Sequence, residues 1–161
     1  MTILSIDIET YSSVELKTHG VYKYVEAPDF EILLLSYALG DEPVQTIDLT
    51  KEKFPPFLKD ALLNPNVIKS AYNANFERVC LSKYLDLHLP INQWRCSSVH
   101  ALYLGLPGWL EGVAQALNLE QQKDSAGKNL INYFSRPCKP TKANGGRTRN
   151  LPRHDPEKWQ Q

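Results

Sequence analysis

Between Ile3 and Glu9 apolar and polar residues alternate, so that Ile6 and Ile8 fall on one side and Asp7 and Glu9 on the other. Strand side chains point to opposite faces in turn. One face of this segment therefore belongs in a core, and the other carries two neighbouring carboxylates. Two unit charges ~5 Å apart repel by roughly 3 kcal/mol at an effective dielectric near ~20, but by under ~1 kcal/mol in bulk water. The pair is tolerable on a wetted strand, as two harmless acids, or in a cleft where a divalent cation sits between them. Spacing alone leaves both arrangements open.

The rest of the pattern predicts an α/β domain. Ile32 to Ala38 is a dense apolar run suited to a buried strand, and Val44 to Leu49 is a shorter one. Phe57 to Leu63 reads as a helix opened by Pro55-Pro56 and stopped at Asn64-Pro65. Val67 to Tyr72 is a further strand. From Phe76 the spacing Phe76, Val79, Cys80, Tyr84 becomes helical, with Asn75 as the expected N-cap. A helix over Ser97 to Leu104 breaks at Gly105-Leu106-Pro107-Gly108. Leu110, Val113, Ala114 and Leu117 then form an i, i+3, i+4, i+7 stripe, and a last helix covers Lys128 to Phe134. Three early strands followed by alternating helices and strands indicate a mixed sheet. The chain contains no internal repeat.

With 161 residues the chain is long enough for one domain with a real core. Its 18 basic and 18 acidic side chains cancel, but unevenly. Residues 1–134 carry 11 basic and 16 acidic groups, and residues 135–161 carry seven basic and two acidic ones. The tail also holds four prolines and Gly145-Gly146. Composition thus predicts an acidic core over 1–134 and a mobile or extended basic segment over 135–161. The start has no basic n-region and meets Asp7 early, unlike a signal peptide. The longest apolar stretch, Ile32 to Gly40, is nine residues and includes Ser36, far short of a membrane span. Cys80, Cys96 and Cys138, odd in number and widely spaced, read as reduced thiols in a cytoplasmic protein.

A second carboxylate stands in Ala71-Tyr72-Asn73-Ala74-Asn75-Phe76-Glu77-Arg78. A strand ends here and a helix begins, which places Glu77 in the first helical turn. There it can simply complement the helix dipole, and Asn73 can simply turn the chain. Together, Asp7-Ile8-Glu9-Thr10 and Asn73-x-x-Phe76-Glu77 resemble the first two motifs of the proofreading 3′–5′ exonuclease domain of phage and prophage family A DNA polymerases. That domain belongs to the DEDD superfamily, with a ribonuclease H-like fold. Tyr11 to Leu16 and Gly20 to Glu26 are similar to that group's loop after the first motif. Leu102 to Gly108, leading into Leu110, is similar to its late helical hairpin.

The resemblance implies a mixed sheet flanked by helices, its three early strands antiparallel and its later strands parallel. It implies hydrolysis of terminal phosphodiesters of single-stranded DNA with two Mg²⁺ or Mn²⁺ ions. The ions would polarise the phosphate, lower the pKa of the attacking water and stabilise the leaving 3′ oxygen. Asp7, Glu9 and Glu77 would be the metal-holding catalytic carboxylates, with Asp7 best placed to bridge both ions. Thr10, Tyr11 and Asn73 would lie near the terminal nucleotide at the DNA 3′ end, and Phe76 would pack. A polymerase domain would follow in the full protein. Two departures stand out. The second motif normally ends in Asp, and here it is Glu77, which moves the carboxylate by about one C–C bond, ~1.5 Å. The third motif, Tyr-x-x-x-Asp, would come after the region that Asp155 to Trp159 resembles, and the chain stops at Gln161 before it. The expectation is an incomplete exonuclease domain, weak or inactive alone. Tyr37 to Asp41 has the third motif's letters but the wrong place in the order.

Three other readings compete. Cys80, His88, Cys96 and His100 offer four zinc ligands, although Cys80 falls on its helix's apolar stripe and structural sites use tighter pairs. The basic tail, with Tyr11, Trp109 and Trp159 as stacking faces, could make a non-catalytic nucleic-acid-binding module. A stand-alone DEDD-type exonuclease acting on RNA or short oligonucleotides is the third, since no residue here reads a 2′-hydroxyl.

Overall fold

In the computed structural model, which describes residues 2–119 and 125–161, the alternation at the start becomes strand β1 (Thr2–Tyr11). Leu4, Ile6 and Ile8 are buried while Ser5 and Asp7 are exposed. Each such buried aliphatic contributes roughly 1.5–3 kcal/mol, so the register of β1 is set by which face is apolar. The dense run forms β2 (Glu31–Leu39), followed by β3 (Gln45–Asp48), β4 (Val67–Ala71) and β5 (Trp94–Cys96). One sheet results, in the order β3-β2-β1-β4-β5. β2 and β3 pair antiparallel, with Ser36 opposite Thr46. Gly40, just past β2, donates to the Ile3 carbonyl at 2.8 Å, so the end of β2 lies beside the start of β1. β1 and β4 run parallel with Ser5 opposite Ser70, and β4 and β5 run parallel with Ala71 opposite Cys96. Antiparallel pairing early and parallel pairing late match the mixed sheet expected from the sequence.

Helices α1 (Leu16–Val25), α2 (Pro56–Leu63), α3 (Asn75–Leu85), α4 (Ser97–Tyr103), α5 (Leu110–Ala116), α6 (Ser125–Phe134) and α7 (Pro156–Trp159) complete the fold. In α2, Leu58 and Leu62 are buried one turn apart beside β4. In α3, Val79, Cys80 and Leu81 are buried, and Asp86 ends the helix in a left-handed conformation at φ 51. Leu87 N–H then reaches back to the Ser82 carbonyl at 2.9 Å. The expected N-cap of α3 needs correction. Ala74 occupies that position without a side-chain cap. Asn75 lies inside the first turn, where its Oδ1 accepts from Arg78 at 2.9 Å.

The chain divides into two compact units: Met1–Ile8 with Ile32–Lys123, and Glu9–Glu31 with Asp124–Gln161. In the second unit, α1 is broken at Gly20, whose φ of 75 interrupts the helix. The basic stretch there is folded rather than extended. Pro137 and Arg149 form an antiparallel bridge, Cys138 N–H donates to the Thr148 carbonyl at 2.7 Å, and α7 follows a short 3₁₀ turn at Pro152–His154. Among the described residues, no helix is long and apolar enough to cross a membrane.

Candidate active site

Asp7 sits on the face of β1 opposite Ile6 and Ile8 and opens onto a surface cavity of about 220 Å³. The walls follow from register. Positions that share a face with Asp7 supply Ser5 on β1, Ser36 on β2, and Ser70 and Tyr72 at the end of β4, and Ser97 at the start of α4 joins them. Ile6, Tyr37, Ala38, Val44 and Ala71 complete the lining, so the carboxylate opens onto a wall of serines and apolar side chains. The Tyr72 hydroxyl is buried without a hydrogen-bond partner. Periodicity marks these positions as strand residues but does not say which strands are neighbours. The β1–β4 register, with Ser5 opposite Ser70, puts Ser70 on the Asp7 face, and Ser36 reaches the cavity from β2.

Of the residues expected at the site, Asp7 alone lines this cavity among the described residues. Glu9, two positions on along β1, is half-buried. Glu77 is in the first turn of α3 and only 4% exposed. Burial, with the nearby Glu77 charge adding to it, pushes the Cys80 thiol well above its ordinary value. Asn73 is exposed and turns the chain between β4 and α3 with φ 66, its carbonyl accepting from Phe76 N–H at 2.9 Å. An Asn tolerates this left-handed conformation better than most residues. Phe76 is half-buried.

Thr10 and Tyr11, in the second unit, are 5% and 3% exposed. Thr10 Oγ1 shares a hydrogen bond of 2.9 Å with the Tyr24 hydroxyl, and Ser12 Oγ donates to the Tyr24 carbonyl at 2.8 Å. Arg149 covers the Tyr11 ring at 3.7 Å from its centroid. Asp29 accepts from both Ser13 N–H and Ser13 Oγ at 3.0 Å, which fixes the loop after β1.

Among the described residues, no three His, Cys, Asp or Glu side chains gather as a metal-holding group. For the alternative zinc set, Cys80 is fully buried in α3 with its thiol protonated, while His88 and His100 are exposed. The donor chemistry around Asp7 is hard oxygen, from carboxylate and hydroxyls, which suits Mg²⁺ or Mn²⁺ better than zinc.

Solved nucleases share this architecture. NrnC of Brucella melitensis, with bound Mg²⁺ and bound to pGG, superposes with TM-scores of 0.57 and 0.56 at 15% identity, covering 76% of this chain and 56% of that one. The Aedes aegypti Nibbler EXO domain superposes at TM-score 0.56 and 11% identity, covering 78% of this chain and 62% of that one.

The chain has a ribonuclease H-like fold.

Over 161 residues, 99% of its length, the chain is 63% identical to a DNA polymerase of Bacillus phage SP02. The chain spans 25% of that relative's length. It matches no protein-family model.

Proposed function

We propose that the chain is a metal-dependent 3′–5′ exonuclease domain of a DNA polymerase, acting on the 3′ end of single-stranded DNA. The observation that carries this reading is Asp7, exposed at the surface cavity of a ribonuclease H-like fold in a chain so similar to a phage polymerase. Asp7 and Glu9 are the carboxylates that would hold Mg²⁺ or Mn²⁺, with Glu77 the third carboxylate of the set. Bound there, such ions supply the Lewis acidity that phosphodiester hydrolysis requires. Mg²⁺ in the NrnC structure supports a divalent ion, and its bound pGG supports a nucleic-acid substrate.

The chain's own residues do the rest. Ser5 and Ser70 can donate to phosphate or sugar oxygens at the cavity, while the Ser36 hydroxyl shares a hydrogen bond of 2.8 Å with Thr46 Oγ1. Asn73, exposed at the adjacent turn, is placed to meet the terminal nucleotide. Thr10 and Tyr11 would act nearby by holding the backbone after Glu9. Three free cysteines fit a reducing cytoplasmic setting.

The test is polarity. A 5′-labelled single strand incubated with Mn²⁺ should give a ladder shortened stepwise from its 3′ end, and chelation should abolish it. The assay is run on this chain and on a longer form approaching the length of its phage relative. Internal cuts, or shortening that persists in chelator, would contradict the reading.

A further inference from the structure

From Ser135 to Arg153 the sequence carries six basic side chains and no acidic one: Arg136, Lys139, Lys142, Arg147, Arg149 and Arg153. Such a run repels itself and, left alone, favours an open chain. Here it is tied down. Asn144 Oδ1 accepts from Thr141 N–H at 2.9 Å and Gly146 N–H at 3.1 Å, while its Nδ2 donates to the Lys139 carbonyl at 2.9 Å and the Arg147 carbonyl at 3.3 Å. Gly145 and Gly146 supply the two positive φ angles, 69 and 77, that the tip requires. Asn150, 6% exposed, anchors the base by donating to the Tyr133 carbonyl at 3.0 Å and accepting from Arg147 Nε at 2.8 Å.

The cations separate into two groups. Arg149 pairs with Glu31 and covers Tyr11, and Arg147 holds Asn150 and the Asn144 carbonyl. Those two are structural. Arg136, Lys139, Lys142 and Arg153 are exposed and make no ion pair among the described residues. The local field is positive enough to act on a neighbour: burial, and then the charges of Arg147 and Arg153, push the His154 imidazole below its ordinary value.

We propose that the closed loop between Pro137 and Arg149, with Arg136 and Arg153 at its base, is a binding site for the phosphodiester backbone of single-stranded nucleic acid. The ordering has already been done within the fold, so binding requires neither loop closure nor desolvation of an existing ion pair. No side chain here is shaped to read a base, and the recognition is of charge. The site shares the substrate class of the proposed reaction but none of its carboxylates.

The test is fluorescence anisotropy of a labelled 20-mer of oligo(dT) in EDTA, from 50 to 300 mM NaCl. The combined variant Arg136→Gln, Lys139→Gln, Lys142→Gln, Arg153→Gln should bind at least tenfold more weakly at the low-salt end. Its log–log salt slope should fall by about 2–3, at ~0.7 per phosphate contact on a single strand. A charge-matched variant with Lys17, Lys53, Lys59 and Lys83 changed to Gln should stay within twofold of the parent. The proposal is overturned if the loop variant keeps its affinity and slope, if the charge-matched variant loses as much, or if the loss appears only on duplex DNA. Because EDTA removes hydrolysis, this readout reports the loop, whereas strand shortening in Mn²⁺ reports the carboxylates; each reading can fail alone.

Discussion

Arg149 sits over the face of Tyr11, its guanidinium carbon 3.7 Å from the ring centroid, and the same guanidinium pairs with Glu31. One side chain from the basic stretch thus clamps the end of β1 to the start of β2. A cation over an aromatic face contributes ~0.5–2 kcal/mol, and a partly exposed ion pair adds ~0–1 kcal/mol. Arg149→Ala should therefore lower stability by about 1–2 kcal/mol in urea titrations. Arg149→Lys, which keeps the charge but not the guanidinium's several donors, should recover only part of it. Full recovery by Lys would mean that charge alone matters.

Lys69 is fully buried in β4, its Nζ donating to the carbonyls of Asn64 at 2.9 Å and Val67 at 3.0 Å and to Gln93 Oε1 at 2.6 Å. Burial lowers its pKa from the ordinary 10.5. The unfolded chain then holds this proton more tightly than the fold. Stability contributed by Lys69 therefore rises with pH between its lowered folded value and 10.5. Urea midpoints of the parent should gain on those of Lys69→Met as pH climbs toward that value. Parallel pH profiles would remove Lys69 as the titrating group.

The thiols of Cys96 and Cys80 should differ sharply toward iodoacetamide. Burial alone would raise Cys96, but the Ser98 hydroxyl, 3.0 Å from its sulfur, and N–H groups of Val99, Ala74 and Asn73 outweigh it and bring the thiol below 9.0. Cys80 is pushed the other way and has no exposed surface. Mass mapping after brief labelling near pH 8 should find Cys96 modified and Cys80 untouched in the folded protein. Early labelling of Cys80 would show that α3 opens easily.

Asn150→Ala removes the bond to the Tyr133 carbonyl and the acceptor for Arg147 in a buried setting. A loss of roughly 1–3 kcal/mol is expected. Leu at this position should do no better, because the orphaned Tyr133 carbonyl remains. Thermal unfolding of both variants checks this.

Much of the sheet was legible in the sequence. The β1 alternation and the period change at Phe76 report which face is apolar, and apolar burial is the largest force available. α1 was missed because Gly20 breaks its periodicity, and β5 because three residues are too few to show one. The basic stretch suggested an extended tail because its order comes from Asn144 and Asn150, polar residues whose hydrogen bonds leave no hydrophobic period. At the site, Asp7 was found from its neighbours along the chain. Ser36, Ser70 and Tyr72 reach it only through strand pairing, which one sequence does not display.

The proposed role of the β1 carboxylates in a metal-dependent hydrolysis is read from the shortening of 5′-labelled single-stranded DNA in Mn²⁺. In whichever form of the protein is active, Asp7→Ala and Glu9→Ala should each reduce the rate by at least ~100-fold, corresponding to ~2.7 kcal/mol of lost transition-state stabilisation. An active protein indifferent to both substitutions would show that its hydrolysis does not depend on these carboxylates.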